Sequence, residues 1–126
     1  MSGSYKDLRV WQQGMDFVEA VYHATERFPR RESYGLASQL ERAAVSVPSN
    51  IAEGKGRRTD RDFCMFLFHA RGSLLEAETQ IELARRLHYI DDGEATRLFK
   101  LSAGIGSALT GLINSLQQDH IAVTSN

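Results

Sequence analysis

Apolar residues recur at intervals of three and four along most of the chain, the period of an amphipathic α-helix rather than of a β-strand. The third predicted helix has the clearest row, with apolar residues at Phe63, Leu67, Ala70, Leu74, Ala77, Ile81 and Ala84. The predicted helices cover about residues 7–28, 34–55, 59–88 and 91–118. Thr59 and Asp91 are the expected N-caps of the last two. Joined by short connections, they predict an all-α fold, an antiparallel up-and-down four-helix bundle in one domain spanning residues 1–126.

The second predicted helix contains an internal proline, Pro48, yet its inward row continues through Leu36, Leu40, Ala43, Val47 and Ile51. Because a proline removes one helical hydrogen bond without abolishing this row, we expect a kink near Pro48 and not a break. Short polar side chains nearby, Ser46, Ser49 and Asn50, are expected to bond the freed carbonyl groups. Gly54 and Gly56 are expected to end the helix.

The apolar surface exceeds what one bundle needs. The first helix has an expected inward row, Leu8, Trp11, Met15, Val18, Tyr22 and Thr25, and a second row about 110° away. The third helix has apolar residues outside its main row. We therefore predict a homo-oligomer with an interface at Val10, Phe17, Val21, Met65, Phe68 and Leu75. The alternative is that tilted helices bury both rows within one chain.

Charge and composition exclude several classes of protein. The 126 residues have a formal net charge of −1, which excludes the uniformly basic surface usual in a monomeric nucleic-acid-binding protein. Cys64 is the only cysteine, so no disulfide can form within the chain. The first residues lack the apolar core of a signal peptide, and no run of 18 apolar residues occurs. We expect a cytoplasmic protein that does not bind membranes.

Most catalytic and metal-binding patterns are missing. No glutamate is followed three residues later by histidine, as di-iron bundles require, and no histidines are spaced i, i+4 for a helical metal site. The glycines around Lys55 do not have P-loop spacing. The glutamates of the third helix are predicted to form ion pairs with arginines. The sequence thus predicts no enzyme, no metal and no cofactor.

One segment has a concentrated positive charge. Lys55, Arg57, Arg58 and Arg61 are opposed only by Asp60, a net charge of +3 in seven residues. We predict that these four residues, together with Arg30 and Arg31, bind RNA or DNA, and that oligomerisation multiplies the basic segments. The alternative interpretation is a solvated turn without a ligand.

Four segments of the chain closely resemble the 23S rRNA intervening-sequence protein family, also called four helix bundle protein. They are YKDLRVWQ at residues 5–12, YGLASQLERAA at 34–44, VSVPSNIAEG at 45–54 with the arginines at 57 and 58, and RGSLLEAETQ at 71–80. The resemblance implies a left-handed four-helix bundle that forms a homopentamer and has no established enzymatic activity. The chain also looks related to the accessory protein of diversity-generating retroelements, a basic pentamer that engages a reverse transcriptase and nucleic acid.

These observations favour a non-enzymatic homo-oligomer that binds RNA or DNA through its basic segment. The alternative is a scaffold that binds a protein partner without touching nucleic acid. A third hypothesis, an enzyme built across subunit interfaces, requires carboxylates, histidines or a metal converging in a concave pocket.

Overall fold

Four long helices form the protein: α1 (Arg9–Thr25), α2 (Leu36–Lys55), α3 (Asp60–Arg86) and α4 (Asp92–Thr124). The computed structural model describes the backbone of residues 3–124 and the side chains of residues 3–118, and no strand occurs within that part of the chain. Short 3-10 turns, Tyr5–Asp7 and Arg30–Glu32, precede α1 and α2. The predicted all-α four-helix bundle is confirmed.

Helix α1 is shorter than predicted because each of its ends is a turn. Ser4 caps the 3-10 turn by accepting a hydrogen bond from the Lys6 backbone N–H at 3.1 Å, and Leu8 is extended. At the other end, the Phe28 N–H donates to the Thr25 carbonyl at 3.0 Å and closes a four-residue turn. The helix therefore covers residues 9–25 and not 7–28.

Polar side chains mark the start of α3 and α4 as the sequence predicts. Thr59 accepts a hydrogen bond from the Asp62 N–H at 3.1 Å, and Asp91 accepts one from the Glu94 N–H at 2.8 Å. Helix α4 continues to Thr124 and so extends beyond the predicted end near residue 118. Residues 125 and 126 lie outside the described residues.

Helix α2 continues through Pro48, as predicted. Gly14 of α1 makes room for the proline ring, since a Cβ at Gly14 would lie 3.3 Å from Pro48 Cβ. Asn50 donates to the Ser46 carbonyl at 2.8 Å, and not to the Ala44 carbonyl that a proline at position 48 leaves free. Ser46, Ser49 and Asn50 are expected to bond the carbonyl freed by the proline, but none of them bonds the Ala44 carbonyl. The kink itself stays a prediction.

The core contains the predicted apolar rows of α2 and α3. On α1, however, it contains the second apolar row and not the expected inward row. Every member of the α3 row is buried, and so are Leu40, Ala43, Val47 and Ile51 of α2. On α1 the buried apolar side chains are Val10, Phe17, Ala20, Val21 and Ala24. Of the expected inward row only Thr25 is buried, whereas Met15 and Tyr22 are 40% and 45% exposed. The prediction of Val10, Phe17 and Val21 as interface residues is therefore wrong: they fill the interior of a single chain.

Each helix packs against two neighbours. Backbone contacts join α1 to α2, α2 to α3, α3 to α4 and α4 to α1 within the described residues. Helices α1 and α3 are consequently at opposite corners of the bundle. Because successive helices run in opposite directions, the start of α1, the end of α2 and the start of α3 lie at one end of the molecule.

Candidate nucleic-acid interface

The basic segment is a tight turn between two long helices. Helix α2 ends at Lys55, and the Gly56 N–H donates to the Glu53 carbonyl at 3.2 Å. Arg57 then closes the turn by donating its N–H to the Gly54 carbonyl at 3.0 Å. We call residues 55–61 the basic turn.

The four predicted basic side chains of this turn lie together at one end of the bundle. Arg57, Arg58 and Arg61 are exposed and Lys55 is half-buried. Arg57 forms an ion pair with Glu53, with 3.5 Å between Nη2 and Oε1. Arg58 and Arg61 have no described ion pair within residues 3–118, so they add positive charge at this end.

Two further cations lie at the same end. The 3-10 turn before α1 packs against α2, which places the exposed Lys6 and Arg9 near the basic turn. Sequence reasoning missed both residues. The predicted up-and-down topology could have found them, because it puts the start of the first helix beside the connection from the second to the third.

The predicted Arg30 and Arg31 lie elsewhere. They belong to the 3-10 turn before α2, and the 20 residues of that helix separate them from the basic turn by about 30 Å. Arg31 donates to the Tyr89 hydroxyl at 3.3 Å, and Tyr89 donates to Glu32 at 2.8 Å. The structure therefore does not bring these two arginines together with the other four, and Arg31 instead helps to connect the two loops at the opposite end.

An aromatic pair on α3 borders the basic turn. The guanidinium carbon of Arg57 lies 4.6 Å from the centroid of the Phe66 ring, and the His69 ring lies 5.8 Å from the same centroid in an edge-on arrangement. Sequence analysis did not select Phe66, because a single aromatic residue on a helix gives no signal of what lies over its ring.

The remaining predicted interface residues, Met65, Phe68 and Leu75, are 52%, 39% and 58% exposed. They belong to an uncharged row on the outer side of α3, which we call the α3 stripe: Met65, Phe68, Gly72, Leu75, Thr79 and Leu83. A groove with a volume of about 660 Å³ runs beside Met65 and Phe68 towards Leu116 of α4.

A second exposed apolar row lies at the opposite corner of the bundle. We call it the α1 stripe: Trp11, Met15, Val18 and Tyr22, which share one side of α1 at spacings of four, three and four. Met15 and Tyr22 are exposed, and Trp11 and Val18 are half-buried.

The titratable groups of residues 3–118 do not converge as catalytic groups do. Burial raises the pKa of the Cys64 thiol, with a smaller contribution from Asp60, which disfavours the reactive thiolate. No cluster of three or more His, Cys, Asp or Glu side chains suited to a metal occurs in the described part of the chain. Likewise, none of the described helices is both long and apolar enough to cross a membrane.

Comparison with known proteins identifies relatives of this chain. The family model of the 23S rRNA-intervening sequence protein matches residues 6–111. A crystal structure at 1.70 Å of a protein of unknown function from the S23 ribosomal protein family, from Bacteroides thetaiotaomicron VPI-5482, superposes with a TM-score of 0.77. It is 22% identical, and the match covers 82% of this chain and 97% of that one, so the likeness shows a shared fold. No curated protein matches the chain. The expected relation to the retroelement accessory protein stays a prediction.

Proposed function

Because the chain belongs to the family of 23S rRNA-intervening sequence proteins, we propose that it is a non-enzymatic homo-oligomer that binds RNA or DNA through the basic turn. One observation supports this most directly: Lys55, Arg57, Arg58 and Arg61 lie together at one end of the bundle. Clustered cations attract the phosphate backbone without reading its sequence, and binding releases condensed counterions.

The two apolar stripes support self-association. Helices α1 and α3 are at opposite corners, so no chain can cover its own α3 stripe with its own α1 stripe. A second copy can supply the missing surface.

Contact between unlike stripes is head-to-tail, and a head-to-tail contact produces a ring when its rotation closes. Helices α1 and α3 run in the same direction, so a ring whose axis follows the helices places every basic turn on one face. Each added copy contributes four more basic side chains to that face. The family resemblance implies five copies.

Sedimentation velocity of the full chain tests the oligomer. We expect an assembly larger than one chain, and we expect Phe68→Glu with Leu75→Glu to dissociate it, because two carboxylates would have to be buried in the contact. The control pair, Gln39→Glu with Ser107→Glu, adds the same charge at exposed positions outside both stripes. A monomeric wild-type protein, or a stripe variant that stays assembled, would overturn the oligomer.

Binding to RNA and DNA over a salt series tests the second half of the proposal. Replacing Arg57, Arg58 and Arg61 by alanine should weaken binding and reduce the slope of log affinity against log salt. The matched control replaces the exposed Arg27, Arg97 and Lys100, which removes the same charge towards the other end of the bundle. Absence of binding at low salt, or equal losses in the two variants, would contradict nucleic-acid binding at the basic turn. An assembled protein without such binding would favour the protein scaffold.

A further inference from the structure

The aromatic pair beside the basic turn gives the proposed site a feature that charge alone does not require. The Arg57 guanidinium lies over the Phe66 ring at 4.6 Å, and the exposed His69 meets the edge of that ring. A guanidinium and an aromatic ring are the two side-chain groups on which unpaired nucleobases stack. Both are present here, next to exposed cations.

The position of Phe66 is set by close packing of α2 and α3. A Cβ at Gly54 would lie 2.7 Å from Phe66 Cβ and 2.9 Å from Phe63 Cδ1, so the backbone of α2 is in direct contact with this part of α3. The Cβ atom that carries the ring is therefore fixed in place before any ligand arrives. A preorganised surface loses less conformational entropy on binding than a mobile side chain does.

The charges around Arg57 favour a different role for this residue than for Arg58 and Arg61. Glu53 lies 3.5 Å from the Arg57 guanidinium in an exposed ion pair and offsets part of its charge. Arg57 is thus better placed to offer a planar surface than to bind a phosphate, whereas Arg58 and Arg61 are exposed and have no described ion pair in residues 3–118. The phosphates of a nucleic-acid strand can contact these two arginines while one of its bases stacks on Arg57.

We propose that the basic turn binds single-stranded nucleic acid, with one unpaired base stacked on the Arg57–Phe66 pair and the adjacent phosphates near Arg58 and Arg61. This inference rests on the proposed nucleic-acid binding. A duplex hides the faces of its bases, so this contact is available only to unpaired nucleotides.

The test compares three probes, each over the same salt series: a short single-stranded RNA, an abasic strand of equal length and charge, and the corresponding duplex. Stacking of one base increases affinity by about fivefold to a hundredfold. We expect the wild-type protein to prefer the single strand over the abasic strand by such a factor. Phe66→Leu should abolish this preference while affinity for the abasic strand and the salt slope stay unchanged.

Two variants complete the design. Arg57→Lys keeps the charge but removes the planar group, so it should lose the same preference, and it tests the inference if Phe66→Leu fails to fold. Phe99→Leu, at a half-buried phenylalanine of α4, is the matched control and should keep the preference. Binding without any preference for bases, or a preference that survives both site variants, would overturn stacking and leave the proposed function intact. Absence of binding to all three probes would overturn both.

Discussion

Gly54 of α2 lies directly against Phe66 of α3, with space for no side chain between them. A Cβ added at Gly54 would be 2.7 Å from Phe66 Cβ and 3.2 Å from the Phe63 carbonyl oxygen. The sequence predicts Gly54 as part of a helix stop, yet it is buried within α2, which ends at Lys55. Its role is to permit close helix packing beside the basic turn.

Gly54→Ala should destabilise the protein despite the higher helix propensity of alanine. Separating α2 from α3 enough to admit a methyl group should lower the free energy of unfolding by about 1–3 kcal/mol. Gly111→Ala is the control: a Cβ there meets no atom within 4 Å, so this variant should be more stable by roughly 1 kcal/mol. Urea unfolding measures both, and a neutral Gly54→Ala would show that the helices separate without cost.

His88→Gly should stabilise the protein. Helix α3 ends with the Tyr89 N–H donating to the Ala84 carbonyl at 2.9 Å, and His88 has a left-handed φ of 62°. Because a residue with a Cβ is disfavoured in this conformation by about 1–2 kcal/mol, glycine should raise the free energy of unfolding by about 1 kcal/mol. Ala103→Gly, at an exposed position within α4, should instead lower it by a similar amount. A His88→Gly variant no more stable than wild type would contradict the prediction.

Glu82 should make stability depend on acid pH. Hydrogen bonds from Arg85 and then Arg86, at 2.7 and 2.9 Å, lower its pKa from 4.5 to about 2. Since the folded-state pKa is the lower one, the stabilisation is complete above about pH 4.5 and is lost as the pH falls towards 2. Glu82→Gln should flatten the dependence of unfolding free energy on pH in that window. Glu19→Gln has the same change of net charge and is the control; equal flattening in both variants would contradict a specific role for Glu82.

Tyr89→Phe should raise the pKa of Glu32. The Leu36 backbone N–H lowers the pKa of this carboxyl most, and the Tyr89 hydroxyl, which donates to it at 2.8 Å, lowers it further. Losing the hydroxyl should move the pKa back towards its ordinary value without reaching it, because the Leu36 bond remains. Carboxyl titration by NMR measures the shift. Tyr34→Phe, at a tyrosine that is 99% exposed, should leave the Glu32 titration unchanged; an unshifted Glu32 in Tyr89→Phe would refute the contact.

Local chemistry made much of the fold predictable. The α3 row from Phe63 to Ala84 has a regular spacing that only a helix can bury on one side, and all of it is buried. Thr59 and Asp91 act as helix caps where the sequence predicts them, because a cap depends on residues only three positions apart. The clustering of Lys55, Arg57, Arg58 and Arg61 follows from their adjacency in the chain.

Features that depend on contacts between distant parts of the chain were not predictable in this way. Helix α1 has two apolar rows, and periodicity cannot decide which one faces inward, because both have the same spacing. The structure selects the row with Phe17 and Val21, where Gly14 admits the Pro48 ring, and it leaves Met15 and Tyr22 outside. The location of Arg31 near Tyr89, 58 positions apart in the chain, likewise depends on how two loops meet.

The sequence by itself determined the number and order of the helices, the caps of α3 and α4, the inward rows of α2 and α3, the basic turn and the family, because each depends on residues that are near one another along the chain. Tertiary structure alone decided which side of α1 is buried, that Arg30 and Arg31 lie far from the basic turn, and that Arg57 lies over Phe66. Those outcomes depend on close contacts between different helices, such as Gly54 against Phe66, and the free energy of such contacts is set by shapes that meet only after folding.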